Sequence, residues 1–153
     1  MGLFSFGKNV GAKIFGKKED EVPVEEKKQL QATALLGYVK ALGLKYNRLR
    51  VTVKDDDVLL EGEVAQQSDA EKIVLAIGNV EGVDAVDNQM TVVEPQPEAQ
   101  FHTVVKGEWL SKISQKYYGD PNKYNIIFEA NQPMLDHPDK IYPGQVLRIP
   151  RLD

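Results

Sequence analysis

The sequence predicts an α+β protein: a small α/β sandwich followed by a β-α-α-β unit. Three observations predict it. The apolar spacing switches between helical and alternating periods along the chain. A linker carrying Pro95 and Pro97 then breaks that order before a second, aromatic-rich segment begins. No apolar run approaches the length that crosses a bilayer.

The elements follow in order. Residues 1–23 form an N-terminal arm with Leu3, Phe4, Phe6, Val10, Ile14 and Phe15 among lysines, closed by the charged break Glu19-Asp20-Glu21-Val22-Pro23. From Val24 to Gly43 the pattern is helical. Leu30, Ala34, Leu35, Tyr38, Val39 and Leu42 recur at three- and four-residue spacing, and Gly43 supplies a stop. Leu49, Val51 and Val53 alternate, Asp55-Asp56-Asp57 marks a turn, and Val58 to Val64 completes a β-hairpin. Ser68-Asp69-Ala70-Glu71 reads as a capping box opening a helix. That helix carries Ile73, Val74 and Ile77 and ends at Gly78. After the turn Asn79-Val80-Glu81-Gly82, residues 83–93 read as a strand, so residues 24–93 make one domain. Residues 94–101 are a short, stiff linker. In residues 102–151 a strand from His102 to Val105 precedes a helix with Trp109, Ile113 and Tyr117 on one stripe. Asp120-Pro121 caps a second helix carrying Tyr124, Ile127 and Phe128, and Val146-Leu147-Arg148-Ile149 closes the unit.

Composition narrows the function. The chain has 153 residues and a net charge of −4, which argues against a nucleic-acid partner. It has no cysteine, which excludes disulfides, thiolate catalysis and zinc sites with sulfur ligands. His102 and His137 stand far apart, and no motif pairs a nucleophile with a base, so no catalysis is expected. The first residues lack a basic start before an apolar core, and Phe6 stands where myristoylation expects Ser or Thr. The expectation is a cytoplasmic monomer without a transmembrane segment.

The C-terminal residues His102-Thr103-Val104-Val105-Lys106-Gly107-Glu108-Trp109-Leu110, Ile113, Asn131 and 141–150 resemble a LysM domain. Glu108-Trp109 departs from the Asp-Thr usual there, which removes a capping hydroxyl and sets a large aromatic near the ligand groove. Residues 58–64 and 77–83 resemble a BON domain. With the Met1-Gly2-Leu3-Phe4 start, Ile126 to Asn131 and Asp139 to Gly144, the whole chain resembles the bacterial cytoplasmic potassium-binding proteins.

That resemblance implies a K+ site made of main-chain carbonyls. The matching positions are Gly7, Val10 and Ala12 in the arm and Gly78, Val80 and Val83 in the turn. The chemistry is consistent. Potassium-selective sites replace the hydration shell with neutral carbonyl oxygens, whereas carboxylate cages suit divalent ions. A helix ending at Gly78 presents free carbonyls at its negative pole. A plain glycine C-cap under an arm packed only for stability is the competing reading. The resemblance further implies a sensor or buffer whose arm and LysM unit close on the BON unit.

Other readings compete with this one. The arm, with Lys8, Lys13, Lys17 and Lys18, could lie on anionic lipid, although Gly7, Gly11 and Gly16 weaken it as a helix. Asp55-Asp56-Asp57 could be a calcium fragment, but a solvated turn accounts for it. Trp109, Tyr117, Tyr118 and Tyr142 could line a groove for N-acetylglucosamine polymers in a cell-envelope protein; packing of the small core and its contact with the BON unit is the favoured role. A protein-interaction adaptor is the remaining alternative.

Overall fold

A computed structural model describes residues 2–15 and 23–152. The charged break from Glu19 to Val22, and Gly16, Lys17 and Lys18 of the lipid-anchor reading, lie outside the described residues. The chain runs β1 (Gly2–Ser5), α1 (Val24–Ala41), β2 (Arg48–Lys54), β3 (Asp57–Gln66), α2 (Gln67–Gly78) and β4 (Ala85–Glu94). The second unit adds β5 (Gln100–Thr103), α3 (Leu110–Tyr118), a 3₁₀ turn (Pro121–Lys123), α4 (Tyr124–Ala130) and β6 (Val146–Ile149).

The four-stranded sheet has the order β1-β4-β3-β2. β2 and β3 form the expected hairpin across Asp55 and Asp56, with Asp55 at φ 55°. β3 and β4 are parallel, so α2 is the crossover between them. β1 was not anticipated: the start of the arm is an edge strand antiparallel to β4, not an amphipathic helix. Phe6 follows it into the core, together with Leu35 and Val39 of α1, Leu60 of β3, and Ile73, Val74 and Ile77 of α2. The apolar face of α1 engages the core from Ala32 onward; Leu30 is exposed.

The capping-box expectation fails. β3 stays paired with β4 as far as Gln66, opposite Glu94, so the chain enters the helix at Gln67 and Ser68 already lies in its first turn. No side chain caps this helix. Glu71 is released from capping and is buried, where it accepts hydrogen bonds from other segments, as described below.

In the second unit β5 and β6 pair antiparallel, and α3 and α4 pack Ile113 and Ile127 against Leu147 and Ile149. Asp120 caps the 3₁₀ turn through the N–H of Asn122 at 2.9 Å, as expected of Asp-Pro. Trp109 corrects the expected stripe. It occupies the N-cap of α3 with extended backbone, stays 52% exposed, and carries Lys112 Nζ 3.7 Å above its ring. Tyr117 and Tyr118 do pack against the core. His102, a strand residue, is buried between the Tyr117 hydroxyl at 2.9 Å and Glu108 Oε1 at 2.8 Å.

Candidate cation site

The arm reaches the loop after α2 through main-chain hydrogen bonds, because residues 6–12 run alongside residues 79–84 with their peptide edges facing. Phe6 N–H donates to the Asp84 carbonyl at 2.7 Å, and Gly82 N–H donates to the Lys8 carbonyl at 2.5 Å. Gly7 and Val83 each lie between these two ties. Further along, Ala12 N–H donates to the Asn79 carbonyl and Glu81 N–H to the Ala12 carbonyl, both at 2.9 Å. Ala12 and Val80 therefore form an isolated parallel bridge. Five of the six sequence-derived positions fall within this seam of arm and turn, and Gly78 adjoins it at the end of α2.

Two glycines allow the approach. Gly11 has φ +126°, and a Cβ there would sit 1.9 Å from the Asn79 carbonyl oxygen. Gly78 lies flat under the Phe6 ring; a Cβ would come within 2.0 Å of it. Gly78 thus serves as more than a helix stop: its bare Cα is the floor on which the arm's aromatic anchor rests.

The oxygens of the six positions differ in how they are used. Gly7, Ala12 and Val80 each accept one backbone bond, from Val10, Glu81 and Val83 respectively. A carbonyl carries two lone pairs, so each keeps one free. Among the described residues the carbonyls of Val10, Gly78 and Val83 accept no hydrogen bond. Gly78 and Val83 belong to buried residues, where an unpaired peptide group is costly. The Gly78 carbonyl also lies at the negative end of α2. Asp56 joins the edge of the seam: its carbonyl accepts from Asp84 N–H at 2.8 Å and its carboxylate pairs with Lys8 at 3.1 Å. The hydrogen bond to Asp56 holds the Lys8 ammonium above its ordinary pKa. Among the described residues no group of three His, Asp or Glu side chains is arranged to hold a metal.

The seam also touches the second unit. Val10 Cγ2 lies against Gly144, where a Cβ would meet it at 2.7 Å, and Phe4 packs edge-on against Phe101 with centroids 5.2 Å apart. A cleft of about 240 Å³ opens beside Gly11, Ala12 and Asn79, walled by Tyr38, Tyr142 and Gln145. Burial first, and the neighbouring Tyr38 second, push the Tyr142 phenol up to about 12. Gln145 is buried, and its Oε1 has no partner among the described residues.

Sequence reasoning missed Asn79 and Glu71. The Asn79 side chain forms a two-bond clamp on Val146 of β6: Nδ2 donates to the carbonyl and Oδ1 accepts the N–H, both at 2.8 Å. Glu71 Oε1 accepts from Arg148 Nη2 at 2.8 Å and Nε at 3.0 Å, while Oε2 accepts Ala99 N–H at 3.1 Å. The linker is thereby pinned to α2 at its end. Nothing local marks either role, since both partners lie in distant segments.

Comparison with known proteins gives consistent matches. Residues 29–94 match the BON domain and residues 102–150 the LysM domain, neither of them an enzymatic family. The potassium binding protein Kbp of Escherichia coli O6:H1 is 42% identical over 151 residues, covering 98% of this chain and 99% of that protein. An uncharacterized protein of Deinococcus radiodurans is 31% identical over 142 residues, covering 85% of this chain and 55% of that one. A solved structure of CdsD, a structural protein of the type III secretion system of Chlamydia trachomatis, is similar at a TM-score of 0.36 and 22% identity, covering 45% of this chain and 32% of that one. No helix among the described residues is long and apolar enough to cross a membrane.

Proposed function

Because the chain belongs to the family of the potassium binding protein Kbp, we propose that it binds K+ through main-chain carbonyls of Gly7, Val10, Ala12, Gly78, Val80 and Val83. One observation carries the reading: two buried residues, Gly78 at the end of α2 and Val83 in the loop that follows, have carbonyls that no protein donor reaches among the described residues. A large monovalent cation supplies the missing partner without demanding carboxylates. The spare lone pairs of Gly7, Ala12 and Val80 and the unpaired Val10 carbonyl complete a neutral oxygen shell.

The protein then works as a cytoplasmic sensor or buffer. K+ bridges arm and turn, so binding orders the arm and brings the LysM unit onto the BON unit. Folding and binding are coupled in the ordinary way, because the ion binds the assembled cage and not the loose arm.

The test is a titration of the full chain with KCl or NaCl at matched ionic strength, read by calorimetry and thermal melting. At about a hundredfold excess over Kd, K+ should stabilise by about 2.7 kcal/mol, a rise of about 5–11 °C. Sodium should do far less. Equal responses to the two ions would overturn the proposal.

A further inference from the structure

We propose that Asn79 is the positioning residue that ties occupancy of the arm–turn site to docking of the LysM unit. The inference rests on the K+ reading above and adds to it the group that transmits the ion's presence.

Asn79 is the C-cap of α2 and stands between Gly78 and Val80, two of the residues proposed to offer carbonyls to the ion. It is only 5% exposed. Its main-chain carbonyl is held by Ala12 N–H at 2.9 Å, so the backbone belongs to the cage. Its side chain belongs to the other unit, through the two 2.8 Å bonds to Val146 and an approach of Nδ2 to Met134 Sδ at 3.4 Å. No other natural side chain of this length carries an acceptor and a donor as a peptide edge does. Aspartate lacks the donor, leucine has neither group, and glutamine is one methylene too long.

The strand it grips shows why this clamp reports on docking. Leu147 is paired with His102 of β5, while Val146 and Arg148 turn their peptide groups to the other edge. Both are closed by asparagine side chains. Asn131 closes Arg148, accepting its N–H at 2.8 Å and donating to its carbonyl at 2.9 Å. Asn131 lies in the LysM unit itself, whereas Asn79 comes from the BON unit. Undocking therefore exposes the peptide edge of Val146 and leaves that of Arg148 closed. The ion fixes the backbone of residues 78–80; with only two side-chain torsions, Asn79 then presents its amide at one place.

The experiment uses these two amides as reporter and control. Hydrogen exchange is followed residue by residue in the full chain, in KCl and in NaCl at equal ionic strength, with K+ binding measured calorimetrically on the same sample. Val146 N–H should exchange about 5- to 150-fold more slowly in KCl, the usual range of coupling between sites. Arg148 N–H should change much less. Coupling is reciprocal, so Asn79→Ala should weaken K+ binding, by up to the factor by which K+ protects Val146. K+ binding with Val146 unprotected, equal protection of Val146 and Arg148, or an Asn79→Ala chain with unchanged K+ affinity would each overturn the inference and leave the K+ site standing. A chain with no K+ binding would overturn both. Should the variant fail to fold, the wild-type exchange pattern decides alone.

Discussion

Replacing Gly11 by alanine should abolish tight K+ binding, whereas the same change at Gly7 should not. Gly11 sits at φ +126°, a region that L residues rarely adopt, and its added methyl would lie 1.9 Å from the Asn79 oxygen, 2.7 Å from the Asn79 carbonyl carbon and 3.1 Å from Glu81 nitrogen. All three are backbone atoms, so no side chain can swing aside. The strained conformation alone costs about 1–3 kcal/mol. Relieving the contact pulls Ala12 away from Asn79 and Glu81 and forfeits two hydrogen bonds of about 1 kcal/mol each. Arm docking is thus weakened by about 3–5 kcal/mol, a factor of about a hundred to several thousand. A site that exists only when the arm is docked loses apparent affinity by the same factor. At Gly7 a Cβ meets only Val10 Cγ2, at 3.6 Å, and the carbonyl is retained. Calorimetric K+ titration of both variants, with circular dichroism to show that the fold persists, makes the comparison. Wild-type affinity in Gly11→Ala, or equal damage in the two variants, would refute the reasoning.

Two further outcomes are expected from the links within and between the units. Glu71→Ala should cost about 3–5 kcal/mol, because it strands the Arg148 guanidinium and the Ala99 amide in a largely buried place; replacing Glu71 and Arg148 together by methionine should recover much of that loss in thermal melts. A melting point unmoved by Glu71→Ala would sink the anchoring role. Burial pushes the Glu108 carboxyl up, but the Val105 N–H and the His102 ring outweigh it and hold the group below its ordinary pKa of 4.5. A depressed carboxylate stabilises fully above the unfolded value and loses that contribution as pH falls through the folded one. The LysM unit should therefore lose stability below about pH 4.5, and Glu108→Gln should flatten that acid limb in melts taken across pH.

The legible parts of the fold were those written in neighbouring residues. The stripe Ile73, Val74 and Ile77, the stop at Gly78, the hairpin around Asp55 and Asp56, and the Asp120-Pro121 cap all depend on contacts within a few positions, and these features appear as read, save that the cap closes the 3₁₀ turn before α4 and not α4 itself. The misreadings share one cause. Ser68-x-x-Glu71 satisfies a local capping signature, yet the partner that claims Glu71 is Arg148, 77 residues away. Asn79 looks like an ordinary turn residue until Val146, 67 residues on, is set beside it. Gly2–Ser5 is too short to announce a strand, and only β4 makes it one. Trp109 carries the size of a core residue, but the backbone at its N-cap turns it outward. The candidate site was partly legible for a different reason. Carbonyls leave no side-chain signature, so residue chemistry alone gave only the glycine-bounded helix end, and the resemblance supplied the six positions.

The proposed site's placement beside the end of α2 accounts for how so plain a set of ligands would govern a two-unit chain. The covalent link between the units is a short extended segment, and the restraint found along it is the bond from Ala99 to Glu71. Four further ties begin on α2, its C-cap or the arm. Glu71 holds Arg148, Asn79 holds Val146, Phe4 meets Phe101 and Val10 meets Gly144. Two of these four contacts come from arm residues that flank or join the seam, and a third comes from the residue between Gly78 and Val80. A cation held in the seam would therefore steady three of these four contacts, leaving the Glu71–Arg148 pair and the packing of Phe101, Met134 and Val146 on the BON core to hold the units in its absence. The ion-free chain should accordingly be loosened but not separated, and Glu71→Ala should loosen it further.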